Sequence, residues 1–412
     1  MSPAARLFAL LTIATFFEGF DTRLVALVQP VIGHEFGASR AELGRVVGLS
    51  SVGMIFAFVV IHLADRIGRR PVFLGALLVY ALLTLATAFA PNLAVFTVLQ
   101  VFARMAMVVE LGIAYLILSE EMPPDVRGRV NGVFGGCVAI GASVPDALLH
   151  PLTAWGIGWR GLFVIGAVPL VLFPYYVANL AETSAFRARK AQPAAAGSTL
   201  ATELELLRLL VSSAYRSRLL AITGLWVIVN FWSGTALYSF TLYVFDERSW
   251  NARDLLVLPL GTIPFGIFGY ALAGFAMDRI GRRSAASLYL AGASLATLVC
   301  YQAIGQAAIL AGYFALVGLG GLSAIVTTWT AELFPTEMRA TASGFGNNLV
   351  GRLGLVLGPI VAGILGEAFD STADAVSLLA IVPLVGVPIA WMLPETKAIA
   401  LGPGTGPSPP SH

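Results

Sequence analysis

Asp65-Arg66-Ile67-Gly68-Arg69-Arg70 occurs a second time as Asp278-Arg279-Ile280-Gly281-Arg282-Arg283, at an offset of 213 residues. Two further sets keep that spacing. Glu120, Pro123 and Arg127 return as Glu332, Pro335 and Arg339, each displaced by 212. Leu180-Ala181-Glu182-Thr183 returns as Leu393-Pro394-Glu395-Thr396, displaced by 213. Three separate polar stretches repeating at an almost constant offset mark an internal duplication of the whole chain.

The sequence between these stretches is apolar. Of 412 residues, 58% are hydrophobic and only 12% charged, against roughly 25% charged in a soluble domain. A soluble core of this length cannot absorb so much apolar surface, so lipid is the expected solvent. A run of about 20 apolar residues crosses a bilayer as a helix. The first half offers such runs at 7–31, 44–64, 71–90, 93–119, 130–154 and 159–178. The second offers them at 219–243, 255–277, 285–305, 307–331, 341–366 and 373–393. Six spans per offset give both halves one topology, as parallel repeats about an axis normal to the membrane. The expectation is an all-α membrane protein of twelve transmembrane helices. It would comprise a six-helix bundle over 1–180, a linker over 181–218, a second bundle over 219–397 and a disordered tail over 398–412. Within the linker, Thr202 to Ser212 is amphipathic enough to lie on the membrane surface.

Lysine and arginine set the orientation. One set of loops, with the termini, holds 17 of them, and the alternate loops hold only Arg40, Arg45, Arg160, Arg248 and Arg253. Both termini are therefore expected in the cytoplasm, in a cell membrane of the bacterial inner-membrane kind. The 7–31 run is too long for a cleavable signal and is interrupted by Glu18 and Asp21. A net charge of +2 gives no reason to expect nucleic acid. Cys137 and Cys300 lie apart in apolar runs, and His34, His62, His150 and His412 lie near span ends or in the tail. Neither set has metal-ligand spacing. No cofactor is expected, nor any reactive nucleophile–base pair of an enzyme.

The duplicated loops resemble those of the major facilitator superfamily, whose pattern is Gly-x-x-x-Asp-Arg-x-Gly-Arg-Arg. The second copy is complete from Gly274 to Arg283, and the first has Ile61 in place of the glycine. The resemblance covers nearly the whole chain and implies a transporter working by alternating access. Independently, Asp65 and Asp278 at helix ends can pair with neighbouring arginines and with the dipole of an adjoining helix N-terminus. Glu120 with Arg127 and Glu332 with Arg339 can do the same. Asp65, Arg69, Asp278, Arg282, Glu120, Arg127, Glu332 and Arg339 are therefore expected to latch and release as gating residues; positive-inside anchoring alone is the simpler alternative.

A charge at the centre of a spanning helix costs about 2.5–3.5 kcal/mol on insertion scales, so it persists when paired, hydrated or useful. Glu18 and Asp21 in the first span, Arg104 and Glu110 in the fourth and Arg352 in the eleventh meet that description. At 1.5 Å per residue, Asp21 and Arg104 both lie about 10 or 11 residues from the outer surface, at one depth. Glu18 and Glu110 match one turn or more closer to the cytoplasm. Structural ion pairs would be Asp21 with Arg104, and Glu18 with Arg23 or Arg352. Asp146 is expected near the outer end of the fifth span, away from the site. Glu18-Gly19-Phe20-Asp21-Thr22 resembles the Asp-Gly-Phe-Asp-Thr signature of aromatic acid:proton symporters. Gly351-Arg352-Leu353-Gly354 resembles the same branch and the wider metabolite:proton symporters.

The expected function is proton-coupled import of a small organic anion, an aromatic or other carboxylate. Asp21, Glu18 and Glu110 would carry protons. Arg104 and Arg352 would bind the anion, because a guanidinium keeps its charge and its fork fits a carboxylate. Asn230, Trp232, Tyr238 and Asn347 would complete the binding set, in a protein acting as a monomer. A proton-driven exporter of drugs or metabolites is the alternative; a non-transporting receptor would call for an added soluble domain to carry a signal, and a facilitative sugar carrier for an amide-rich cavity instead of midplane arginines.

Overall fold

The computed structural model describes residues 3–122, 124–184, 186–187, 208 and 213–397. Among them there are helices and turns and no strand. The first spans are α1 (Pro3–Phe36), α2 (Arg40–Ile67), α3 (Arg69–Thr87), α4 (Leu93–Glu121) and α5 (Pro124–Ala154). They continue as α6 (Trp159–Asn179), α7 (Tyr215–Asp246), α8 (Asp254–Ile280), α9 (Arg282–Gln302), α10 (Gln306–Leu333), α11 (Thr341–Ala368) and α12 (Thr372–Met392). The last ten contain stretches long and apolar enough to cross a membrane. The first two, of 34 and 28 residues, exceed the length needed. Apart from Arg208, the surface segment expected at 202–212 lies outside the described residues, as do the tail from 398 and the side chains of Asp65 and Arg127.

Local sequence explains the helix ends and breaks. Ser39 caps α2 by accepting from the Glu42 backbone N–H, while the Glu42 carboxylate accepts from Ser39 N–H, a reciprocal capping box. Asn92 caps α4 with a single bond, its side-chain oxygen accepting from Val95 N–H. Several spans are interrupted: α6 before Pro169, α7 at 237–239 and α10 at Gly320-Gly321. In α11 the run Gly344–Gly351 winds as a π-helix, wider than the α-helix on either side.

The chain divides into two compact units. One holds α1 to α6 with Val244–Ile263, and the other holds most of α7 and Pro264 onward. Their internal packing repeats: α1 lies along α5 and α3 along α4 in the first, as α7 lies along α11 and α9 along α10 in the second. Gly19 allows the α1–α5 contact, since a Cβ there would strike the Val138 carbonyl. Val171 and Leu260 are 80% and 76% exposed on their spans.

The duplicated loops build the same cluster twice. Arg69 grips the Glu120 carboxylate with Nε and Nη2 at 3.0 and 2.9 Å, and its Nη1 donates to Ala64 O. Arg282 grips Glu332 at 2.9 and 2.7 Å, and its Nη1 donates to Met277 O. Glu182 accepts from Arg69 N–H and Arg70 N–H, and Glu395 from Arg282 N–H and Arg283 N–H. Each glutamate thus caps the N-terminus of the third helix of its unit, where the helix dipole favours an anion. Gly68 and Gly281 are needed at these turns. Their φ values of +111° and +87° lie in the region that favours glycine, and a Cβ on either would meet the capping carboxylate.

These contacts revise the expected pairings. Glu332 bonds to Arg282, and Arg339 instead directs its Nε to the carbonyl of Phe334. Asp278 does pair with a neighbouring arginine, Arg282 at 3.9 Å, through a side chain 83% exposed, but the cap on α9 comes from Glu395. The reason is reach: a glutamate returning after the sixth span arrives in front of the helix end, whereas an aspartate on the preceding helix lies beside it.

Glu395 also gives a pH dependence. Burial pushes its carboxyl up, but N–H donors from Arg282, Arg283, Lys397 and Thr396 outweigh that and hold it below its usual value of 4.5. A lowered carboxyl contributes stability that is complete above its unfolded value and lost as pH falls through the folded one. The thermal midpoint of the purified protein should therefore fall as pH drops below about 4.5, and Glu395→Gln should make that acid limb shallower. An identical limb in parent and variant would show that the cap carries no such linkage.

Candidate transport site

Inside the first unit, α1, α3, α4, α5 and α6 enclose a set of charged and polar side chains. Glu18, Asp21, Arg104, Glu110 and Asp146 are all buried, with Glu110 fully so. Asp21 accepts from the Thr84 hydroxyl of α3 at 2.7 Å and lies within electrostatic range of Arg104. Its other oxygen rests against Gly166 of α6, where a Cβ would come within 2.6 Å. The Arg104 guanidinium of α4 donates to Thr22 O at 3.4 Å. Thr22 in turn gives its hydroxyl to Glu18, sharing it between the backbone carbonyl at 3.0 Å and the carboxylate at 3.3 Å. Glu110 interacts electrostatically with Glu18, and neither of its oxygens has a hydrogen-bond partner among the described residues. The fully buried Tyr80 of α3 lies in range of Asp21, Glu110 and Glu18 together, with no partner for its hydroxyl among those residues.

The matching depths of Glu18, Asp21, Arg104 and Glu110 are thus realised as one cluster. Arg23 is engaged elsewhere, by Asp146 of α5, with Nη2 to Oδ1 at 2.8 Å and Nε to both oxygens at 3.1 Å. Asp146, expected near the outer end of its helix, is instead 2% exposed and forms a buried ion pair. Eight residues of α5 follow it, Ala154 being the last, more than two turns. Tyr80 and Thr84 were not legible as site residues because a lone hydroxyl in a span is inexpensive.

The second unit gathers amides where the first gathers carboxylates. Asn230 of α7 donates to Asn347 of α11 at 3.5 Å, and Arg352 donates to Asn348 at 3.4 Å. Asn347 and Asn348 both belong to the π turn, and the Arg352 N–H closes it on Asn347 O. Trp232, expected in the binding set, is 2% exposed and commits its indole N–H to Thr297 of α9 at 3.0 Å. Its place follows from helix azimuth, which turns it into the packing between α7 and α9. Tyr238 is half-buried in the 237–239 turn of α7.

Spanning helices in duplicated six-helix sets, with ionisable side chains gathered inside them, define a membrane transporter. The chain belongs to the Major Facilitator Superfamily, whose family profile matches residues 11–359. The niacin transporter NiaP of Acinetobacter baylyi is 24% identical over 92% of this chain and 91% of its own. The 4-hydroxybenzoate transporter PcaK of Pseudomonas putida is 25% identical over 95% and 94%. The xylose transporter XylE of E. coli, solved in an inward-open conformation, superposes with a TM-score of 0.72 at 16% identity, over 97% of this chain and 98% of that one. The protein is a multi-pass membrane transporter and not an enzyme. The aromatic acid transporters among its relatives agree with the branch that the Glu18–Thr22 motif resembles.

Proposed function

We propose that the protein is a proton-coupled symporter that imports a small aromatic carboxylate. The observation that carries this reading is the charge count inside the first unit. Among the described residues, Glu18, Asp21 and Glu110 share their interior with the Arg104 guanidinium, Arg23 being engaged by Asp146. One cation does not offset three carboxylates in a medium of low dielectric, so protons make up the difference. When an anionic substrate recruits the arginine, the balance changes by one charge and a proton follows. Arg104 is the anion ligand of the first unit. Arg352 serves the second, with Asn230, Asn347 and Asn348 supplying uncharged hydrogen bonds. Niacin and 4-hydroxybenzoate, for which two relatives are named, are both ring carboxylates. The Arg69–Glu120 and Arg282–Glu332 clusters act as latches during the cycle, on the cytoplasmic side with both termini.

The test is proton flux in liposomes loaded with a pH-sensitive dye, with benzoate, nicotinate, xylose or a cationic drug added outside. Internal acidification with the two carboxylates alone is the expected result. Alkalinisation with the drug under an inside-acid gradient would replace the reading with export by antiport.

A further inference from the structure

The Arg69–Glu120 pair ties the start of α3 to the end of α4 and fixes the register between them. Tyr80 stands 11 residues from that pair along α3, and Glu110 stands 10 residues from it along α4. At 1.5 Å per residue both lie about 15–17 Å away from it, at one height. Thr84, one turn beyond Tyr80 on the same face of α3, gives its hydroxyl to Asp21. Tyr80 is therefore level with Glu110 and about 6 Å short of the Thr84–Asp21 contact, a gap that a phenol side chain spans. Asp21 Oδ1, the Tyr80 hydroxyl and both Glu110 oxygens are buried, and none has a hydrogen-bond partner among the described residues. Tyr80 is in electrostatic range of both acids. Tyr176 of α6 makes the contrast. It too is buried in range of Glu110, yet its hydroxyl is committed to the Leu10 carbonyl at 2.9 Å.

We propose that Tyr80 relays protons between Asp21 and Glu110, an inference that rests on the proton-coupled reading above. A phenol hydroxyl both donates and accepts, so it can serve an acid and its conjugate base together. Protonated Asp21 gives its proton to Tyr80 Oη while the Tyr80 hydroxyl proton passes to the Glu110 carboxylate. Two O–H bonds break and two form, the phenol stays neutral, and one proton has moved from Asp21 to Glu110. Rotation about the ring C–O bond resets the hydroxyl. Glu18 of α1, also in range of Tyr80, and Arg104 of α4 beside Asp21 complete the charges around the path, with Tyr176 on the α6 side. Glu110 stands six residues beyond Arg104, about 9 Å along α4. The transfer therefore carries the proton away from the anion-binding guanidinium, toward the Arg69–Glu120 end of the bundle.

Tyr80→Phe removes the hydroxyl and keeps the ring. Full-length parent and variant in liposomes would be compared for benzoate-driven net proton flux and for counterflow of labelled benzoate, which can cycle without releasing the proton. Net flux should fall about a hundredfold, the low end of what a positioned proton-transfer group contributes. Counterflow and benzoate half-saturation should stay at the parent values. The thermal midpoint should not fall, because the hydroxyl holds no partner among the described residues. Glu110→Gln should show the same split, and the double variant should be no slower than the slower single, as two groups on one path require. Net flux at the parent rate in Tyr80→Phe would overturn the relay while leaving the symport reading intact. Counterflow lost in step with net flux would overturn it as well, by giving the hydroxyl a place in substrate binding. Losses that multiply in the double variant would put Tyr80 and Glu110 on separate routes and break the proposed link. No benzoate-driven flux in the parent protein would sink the symport reading, and the relay with it.

Discussion

Asp21→Asn is expected to abolish uphill uptake while leaving exchange of substrate across the membrane intact. The substitution is nearly isosteric, and an amide oxygen still accepts from Thr84, which lies 2.7 Å from the native carboxylate. Gly166 leaves the same space beside it, so the bundle should fold unchanged. What is lost is a group that can gain and release a proton. One proton carried with one monoanion draws about 1.4 kcal/mol per unit of pH gradient, a tenfold accumulation. Uncoupled, the accumulation ratio should fall to one, and counterflow of labelled substrate should persist. Accumulation at the parent ratio would remove Asp21 from the coupling role. Loss of counterflow as well would show that Asp21 holds the site together and carries no separable proton.

The second large effect is on stability. In Arg282→Leu the Glu332 carboxylate, 6% exposed, keeps only the Thr396 hydroxyl as a partner among the described residues. Breaking a buried pair from one side costs about 3–5 kcal/mol, because an uncompensated charge remains behind. The double variant Arg282→Leu/Glu332→Leu removes that charge and should recover most of the loss. Recovery stops short of complete, since Arg282 also donates to the Met277 carbonyl near the end of α8, beside the Gly281 N–H that remains. The comparison is a double-mutant cycle on unfolding free energies. A single variant within about 1 kcal/mol of the parent would mean that the pair is solvated and contributes as a surface bridge does.

Much of the fold was legible because polar residues stand out in an apolar chain. The Asp65–Arg70 and Asp278–Arg283 loops gave the duplication, and the apolar runs between them gave the spans. Depth was legible too, since rise per residue is constant, and Glu18, Asp21, Arg104 and Glu110 do meet. Azimuth was not. Nothing in the sequence said that Asp21 turns into the bundle beside Thr84 and Gly166, or that Trp232 turns toward Thr297. Around Arg352 the helical wheel fails for a local reason: the π turn shifts the phase of every residue beyond Gly344. Glu182 and Glu395 were visible as a repeat but not as caps, because their partners are backbone N–H groups, which every residue but proline carries.

The π turn in α11 makes that span a thread with one loop of slack. A regular α-helix transmits rotation rigidly, so turning one side chain turns the whole rod. A wide turn can instead hop along the rod, each hop swinging the residues it passes by about 100° while both ends stay still. Asn347 and Asn348 lie inside that turn and Arg352 at its edge. A helix so built can re-aim Asn347, Asn348 and Arg352 without moving its two ends.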